Sequence, residues 1–441
     1  MKDCRKGFRR VALMAALMLA TPAALAQSPP PTAAAVATIK RIEASPAFRK
    51  AVAAIEAGHD KWVADIITLT EIPAPPFKES ARAKAYRDML IARGLSNVEI
   101  DEIGNVTGVR KGNGGRGGEG MIVVSAHLDT VFPEGTPVKV RREGERLHAP
   151  GVGDDSTGLA TQLAFIDAMN AAGIQTKADI LFVGTVGEEG LGDLRGVRHL
   201  FTRGRYASQK GGRIKAFFSI DGGGMDSLTV GGAGSKRYRV TFRGPGGHSF
   251  GAFGLVNPMT AMSQAVVDLY KINVPADPKT TYSASVVSGG TSVNAIPGEV
   301  WMEFDMRSAS AEELAKVEKR FLEILQQAVA GENAARSTRE GPVTVEPVLV
   351  GDRPAGITPR EADIVQFSTA AYAAEGITLK YQASSTDSNI PISLGIPAVT
   401  ISRVASGSRN HSVDEWIGIE KADNVKLKRI GLATILATAG M

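Results

Sequence analysis

Cysteine is nearly absent: the 441-residue chain has one, Cys4, and it lies in a leader-like segment. With that segment removed, disulfides and thiolate metal ligands are both excluded, so any metal must sit on histidine and carboxylate. Long apolar runs are also lacking. None reaches the ~18 residues a membrane span requires, and the stretch from Val11 to about Ala20 is too short to anchor the chain comfortably. Lys2, Arg5, Lys6, Arg9 and Arg10 precede that stretch, and Ala24-Leu-Ala26 follows it, the pattern of a cleavable secretory signal over residues 1–26. A soluble exported protein, periplasmic or secreted, is expected, with no stable membrane anchor. Excess charge is missing too. Lys and Arg total 51 against 46 Asp and Glu, but residues 1–26 hold five of those bases and one acid, which leaves 46 against 45. A net charge of +1 gives no footing for a nucleic-acid partner. Histidine is sparse, with six in all: His59, His127, His148, His199, His248 and His411.

The roughly 415 residues that remain exceed what one core usually serves, so more than one domain is expected. Gln27 to about Thr38 is rich in Pro and Ala and reads as a flexible lead-in. Helical spacing covers Ala47 to about Thr70, Lys78 to Arg93 and Ser156 to Ala172. Met121-Ile-Val-Val124, Ile180-Leu-Phe-Val183, Phe217-Phe-Ser-Ile220 and Ala398-Val-Thr-Ile401 are short apolar runs, which read as buried parallel strands. The glycine-rich stretch Gly112 to Gly120 lacks the Gly-Lys-Ser/Thr ending of a phosphate loop, and a hairpin turn is expected there. Near Gly231 the pattern changes to alternation, as in Arg237-Tyr-Arg-Val-Thr-Phe242. A strand–helix–strand–strand–helix–strand order runs on to about Gly351, the order of a small α+β sandwich. The expected fold is therefore α/β, a mostly parallel central sheet flanked by helices, with this sandwich inserted as a lid or dimerisation domain. The expected divisions are 27–230 and 352–441 for the catalytic domain and 231–351 for the insert.

Ligand sites in such sheets gather at the carboxyl ends of the strands. His127 and His411 each follow a buried strand. Glu188 and Glu189 follow another, and Asp221 a fourth. Asp154 lies in Gly151-Val-Gly-Asp-Asp-Ser-Thr-Gly158 at a helix entry. Singly, each has a plain alternative: a hydrogen-bonded core histidine, a solvated acid, or a helix cap that Asp155 or Ser156 could equally supply. Together, acids from several loops at one sheet edge would repel one another without a cation between them.

In order along the chain stand Ser-Ala-His127-Leu-Asp129-Thr-Val, Gly-Val-Gly-Asp154-Asp, Gly-Glu188-Glu189-Gly, Ile-Asp221-Gly-Gly, Gly-Gly-His248-Ser, Asn294-Ala-Ile-Pro297, Asp305-Met-Arg307, Ser385-Thr-Asp387 and Asn410-His411-Ser-Val-Asp-Glu415. This series resembles the di-zinc exopeptidase family of glutamate carboxypeptidase, tripeptidase T, aminoacylase and succinyl-diaminopimelate desuccinylase. The resemblance implies two Zn²⁺ per chain, with Co²⁺ or Mn²⁺ also suited to such donors. It implies His127 and Asp221 on one ion, Glu189 and His411 on the other, and Asp154 bridging. Asp129 would orient His127, and Glu188 would be general base toward a zinc-bridging hydroxide. His248 would stabilise the oxyanion, Asn294 and Arg307 would hold substrate, and such residues often come from a partner subunit, which suggests a homodimer through the insert. His59, His148 and His199 are left as structural or solvent-facing.

Two departures stand out. Many members carry Lys where this chain has Ser156, and the third carboxylate is Asp221 rather than Glu, which is similar to tripeptidase T and related aminopeptidases. The expected activity is cleavage of short peptides with a free amino end. A carboxypeptidase or N-acyl-amino-acid amidohydrolase on the same scaffold is the alternative, and a non-catalytic peptide-binding protein a further one.

Overall fold

The computed structural model describes residues 28–114 and 120–441. The leader expected over residues 1–26 lies outside the described residues.

A nine-stranded mixed sheet organises the larger part of the chain. Its centre is four parallel strands side by side: Asp179–Thr185, Met121–His127, Ile214–Gly223 and Ala398–Val404. These contain the four apolar runs. Their residues alternate between two cores, as strands covered on both faces must. Ile122, Val124, Ile180, Phe182 and Phe218 join one cluster, and Val123, Leu181, Val183 and Phe217 the other. Antiparallel pairings lie toward both margins, among them Val106–Arg110 on Asp179–Thr185 and Ser227–Gly232 on Ala398–Val404.

The helix Ser156–Ala172 packs over one face, and its capping explains its start. Asp155 accepts from the Gly158 N–H as N-cap, which leaves the Asp154 carboxylate uncommitted at the helix entry. Two expectations near the edges are corrected. The segment read as a lead-in through Thr38 enters the helix Ala33–Ala44, because Ala35, Ile39 and Ile42 are spaced to bury one stripe. The glycine-rich stretch is not a hairpin, since its flanking strands Val106–Arg110 and Met121–His127 both pair with Asp179–Thr185, which lies between them. Residues 115–119 within it lie outside the described residues.

Between Gly234 and Arg353 a separate four-stranded antiparallel sheet forms, in the order Thr280–Gly289, Glu299–Ser308, Gly234–Arg243, Thr344–Arg353. Helices Pro258–Leu269 and Ala311–Ala335 cover one face and build a core of their own, in which Phe304 stacks on Phe321 at 4.7 Å. The period-2 pattern of Glu299–Ser308 buries Met302, Phe304 and Met306 and leaves Glu303, Asp305 and Arg307 on the other face. A further small sheet joins Arg146–His148 to Trp416–Gly418, which ties the loop before Asp154 to the loop after His411.

Candidate metal centre

Adjacency of the parallel strands assembles the cluster. His127 is the last residue of its strand, Glu188 and Glu189 follow the neighbouring strand on one side, and Asp221 stands near the end of the neighbour on the other. His411 follows the fourth strand, in a left-handed conformation (φ 65°) that a histidine adopts only when its surroundings enforce it.

Asp154 lies between two sets of donors. Its Oδ1 is 3.0 Å from His127 Nε2, and its Oδ2 is 3.3 Å from His411 Nε2. Asp221 Oδ1 lies 3.9 Å from His127 Nε2, and Glu189 Oε1 lies 2.7 Å from His411 Nε2. The groups His127–Asp154–Asp221 and Asp154–Glu189–His411 each bring three ligand atoms within 4.8 Å of one another. Two cations, each with a histidine and its own carboxylate and both sharing Asp154, fit this donor set. Neutral imidazole and carboxylate oxygen suit zinc, cobalt and manganese alike.

The surrounding electrostatics show why such acids can be buried together. Burial raises the pKa of Asp221 well above the usual carboxylate range, reinforced by Asp154. Burial also opposes ionisation of Asp154, but Arg403, His127 and His411 outweigh it and hold that carboxyl well below the ordinary value. Glu188 is pushed up to about 8, chiefly by burial and further by Glu189, with Arg353 acting against the rise.

Asp129 is fully buried and faces the second ring nitrogen of His127. His127 Nδ1 is 3.0 Å from the Asp129 carbonyl oxygen and 3.7 Å from its carboxylate. The carboxylate instead accepts the N–H groups of Glu188 at 3.0 Å and Glu189 at 2.9 Å. One residue therefore fixes both the imidazole and the loop that carries the two glutamates.

Three contributors were not singled out from the sequence. Arg353, buried at the end of the strand Thr344–Arg353, lies 3.2 Å from Glu188 Oε1 and donates to the Glu188 carbonyl and, at 3.0 Å, to Ser385 Oγ. Arg403 is buried within Ala398–Val404 and donates to Asp221 Oδ1 and, at 2.6 Å, to the Asp221 carbonyl oxygen. Where the resemblance leads one to expect a lysine, this chain has Ser156, and the cation beside Asp154 comes from Arg403. Glu415 accepts the N–H groups of Gly151, Gly153 and Asp154 at 2.8, 2.9 and 2.8 Å and so braces the loop of the shared carboxylate. The signal for Arg403 was a charge just past the apolar run Ala398–Ile401, and for Glu415 an acid in the His411 motif.

The three expected substrate-facing residues divide. His248 and Asn294 are exposed neighbours, with His248 paired to Ala295 in a short ladder and Ser249 N–H donating to the Asn294 carbonyl. Among the described residues no hydrogen bond or ion pair joins either to the cluster. Arg307 lines a cavity of about 360 Å³ together with Gly190 and Leu191, which directly follow Glu188 and Glu189, and with Arg237, whose Nη1 donates to the Gly190 carbonyl at 2.7 Å.

Paired histidine–carboxylate sets sharing one aspartate, at the carboxyl ends of parallel strands, define the site of a two-metal hydrolase. The chain belongs to peptidase family M20/M25/M40, whose sequence pattern it matches over residues 123–430. It is 25% identical over 233 residues to carboxypeptidase G2 of Pseudomonas sp. (strain RS-16), covering 51% of this chain and 52% of that one. The chain spans about a third to a half of the length of the curated relatives it matches. Its fold is similar to that of aminopeptidase PepT from Bacillus cereus (TM-score 0.68, 21% identity, 86% of this chain and 99% of that one). It is also similar to the Bacillus subtilis YXEP protein, described as a dinuclear metal-binding peptidase of the M20 family (TM-score 0.61, 18% identity, 87% and 99% covered).

Proposed function

We propose that this protein is an exported two-metal exopeptidase that removes residues from the free amino end of short peptides. The observation that carries the reading is Asp154, whose two oxygens face two histidine–carboxylate pairs at 3.0 and 3.3 Å. His127, Asp221 and Asp154 would hold one divalent cation and His411, Glu189 and Asp154 the other. When bound, the pair supplies Lewis-acid activation of water and of the scissile carbonyl.

The chain's own residues do the rest. Arg353 engages Glu188 at Oε1 and at its carbonyl, which aims the other carboxylate oxygen, Oε2, to accept a proton from the attacking water and hand it to the leaving amine. Burial suits this task, because a carboxyl with a raised pKa both takes and returns a proton near neutral pH. His248 and Asn294 are assigned to the developing oxyanion and the substrate backbone, and Arg307 to a carbonyl or carboxylate of the substrate. Among the described residues no helix is long and apolar enough to cross a membrane. The leader pattern of residues 1–26 supports export to the periplasm or beyond.

A second reading, a carboxypeptidase or acyl-amino-acid amidohydrolase, is favoured by the likeness to carboxypeptidase G2. Metal-reconstituted protein should be assayed on free tripeptides, amino-blocked peptides and acyl amino acids. Hydrolysis of the free tripeptides is expected; cleavage confined to blocked or acylated substrates would replace the first reading with the second.

A further inference from the structure

The buried charge of Arg403 lies nearest to one half of the cluster. Its Nη1 donates to Asp221 Oδ1 and to the Asp221 carbonyl oxygen, and lies 3.6 Å from Asp154 Oδ1. Asp154 Oδ1 is the oxygen that faces His127, at 3.0 Å. The other oxygen, Oδ2, faces His411. Glu189, the second carboxylate of the His411 half, has His411 as its ion-pair partner, and among the described residues no Arg or Lys pairs with it.

Arg403 cannot easily withdraw. It sits on a strand paired to Ile214–Gly223, every residue of Ala398–Val404 is buried, and the Arg403 carbonyl accepts from Thr161 Oγ1 at 3.3 Å on the helix packed below. The two halves have equivalent donors, a histidine, a private carboxylate and a share of Asp154. Arg403 stands beside the His127 half, where it competes for the lone pairs of Asp221 and repels a cation placed beside it. Its Nε also lies 4.0 Å from Asp155 Oδ1, a buried carboxylate outside both donor sets that offsets part of its charge.

We propose that Arg403 makes the two metal positions unequal, so that the His411–Glu189–Asp154 position fills first and tightly and the His127–Asp221–Asp154 position fills second and weakly. The inference rests on the two-metal reading above. At limiting metal the protein then carries one ion, on the His411 side, and the second position responds to the metal supply.

The test is a calorimetric Zn²⁺ titration of chelator-stripped full-length protein in a competing zinc buffer, with bound metal counted by mass spectrometry at each plateau. Two steps are expected, separated on the order of tenfold or more in affinity. Arg403→Gln keeps a donor amide without the charge and should bring the steps to within about threefold. Arg403→Lys keeps the charge and should preserve the separation, a rescue that a merely structural role would not give. With Arg403 in place, Asp221→Asn should abolish the weak step and Glu189→Gln the tight one. These two variants order the sites even if Arg403→Gln fails to fold. Two equal steps in the parent, an unchanged gap in a folded Arg403→Gln protein, or loss of the tight step in Asp221→Asn would overturn the proposal. A parent that binds no zinc would instead overturn the two-metal reading itself.

Discussion

At the residue scale the two adjacent glutamates do different work, and the backbone explains how neighbours can. Asp129 takes both of their N–H groups, so the loop is held while Glu189 pairs with His411 and Glu188 with Arg353, their carboxylates staying within 4.8 Å of each other. Replacing Glu188 with Gln is expected to lower kcat by ~10²–10⁴-fold, the usual span for a general base, while bound metal stays near that of the parent. Steady-state kinetics alongside metal analysis checks this, and near-parental turnover would remove Glu188 as the base. Glu415 acts at one remove. It touches no candidate ligand side chain but receives three N–H groups of the loop that presents Asp154. Glu415→Gln should weaken metal retention by roughly 10–100-fold, as loss of a ligand's support commonly does, measurable by competition with a chelating dye.

At the element scale, two helices far apart in sequence close one side of the core. The helix Ala33–Ala44 packs Ile39 and Ile42 into the main cluster together with residues of Lys421–Ala439. Ile39→Ala should cost about 2–5 kcal/mol, read as a drop in the denaturant midpoint; no change would show that this helix is dispensable. Lys428, on the last helix, is 2% exposed, with Nζ 3.4 Å from the centroid of the Trp62 ring and no hydrogen-bond acceptor. Burial pushes it down to about 7, against an unfolded value near 10.4. Between those values the unfolded chain binds more protons than the folded one, so this group makes stability rise with pH from about 7 to about 10. Lys428→Met is therefore expected to raise Tm at pH 7, with the gain narrowing toward pH 10. A gain that did not change with pH would mean the lysine is not deprotonated on folding.

At the scale of the whole molecule, the four-stranded sheet carries its own core and meets the larger part through groups that include Arg353 and Arg237. His248 and Asn294 stand exposed at a separate two-stranded ladder, and among the described residues no hydrogen bond or ion pair joins them to the cluster, an arrangement suited to completing the site of a second copy. If a C₂ dimer exchanges them, mixing dissociated Glu188→Gln and His248→Ala subunits should restore roughly a quarter of parental activity. The expectation follows from random re-pairing, in which half the dimers hold one intact site. No recovery, with dimers confirmed by light scattering, would confine each site to one chain.

Local pattern was enough to place His127, Glu188, Glu189, Asp221 and His411. Each follows an apolar run whose neighbours name it a buried strand, and parallel sheets collect ligands at that end. The helix Ser156–Ala172 was equally local, whereas the choice of Asp155 over Asp154 or Ser156 as its cap came from the structure. What only the tertiary structure decided is which groups balance those acids. Arg353 and Arg403 lie 165 and 182 residues from the carboxylates they touch, and neither has a spacing rule that points to its partner. The same holds for the hairpin that was not one, because a strand 58 residues downstream of its second arm took the place between its arms. Strand and helix identity is set by neighbours in sequence, whereas charge compensation in a core is set by whatever the fold brings within a few ångströms, and here that decided how the two halves of the metal centre differ.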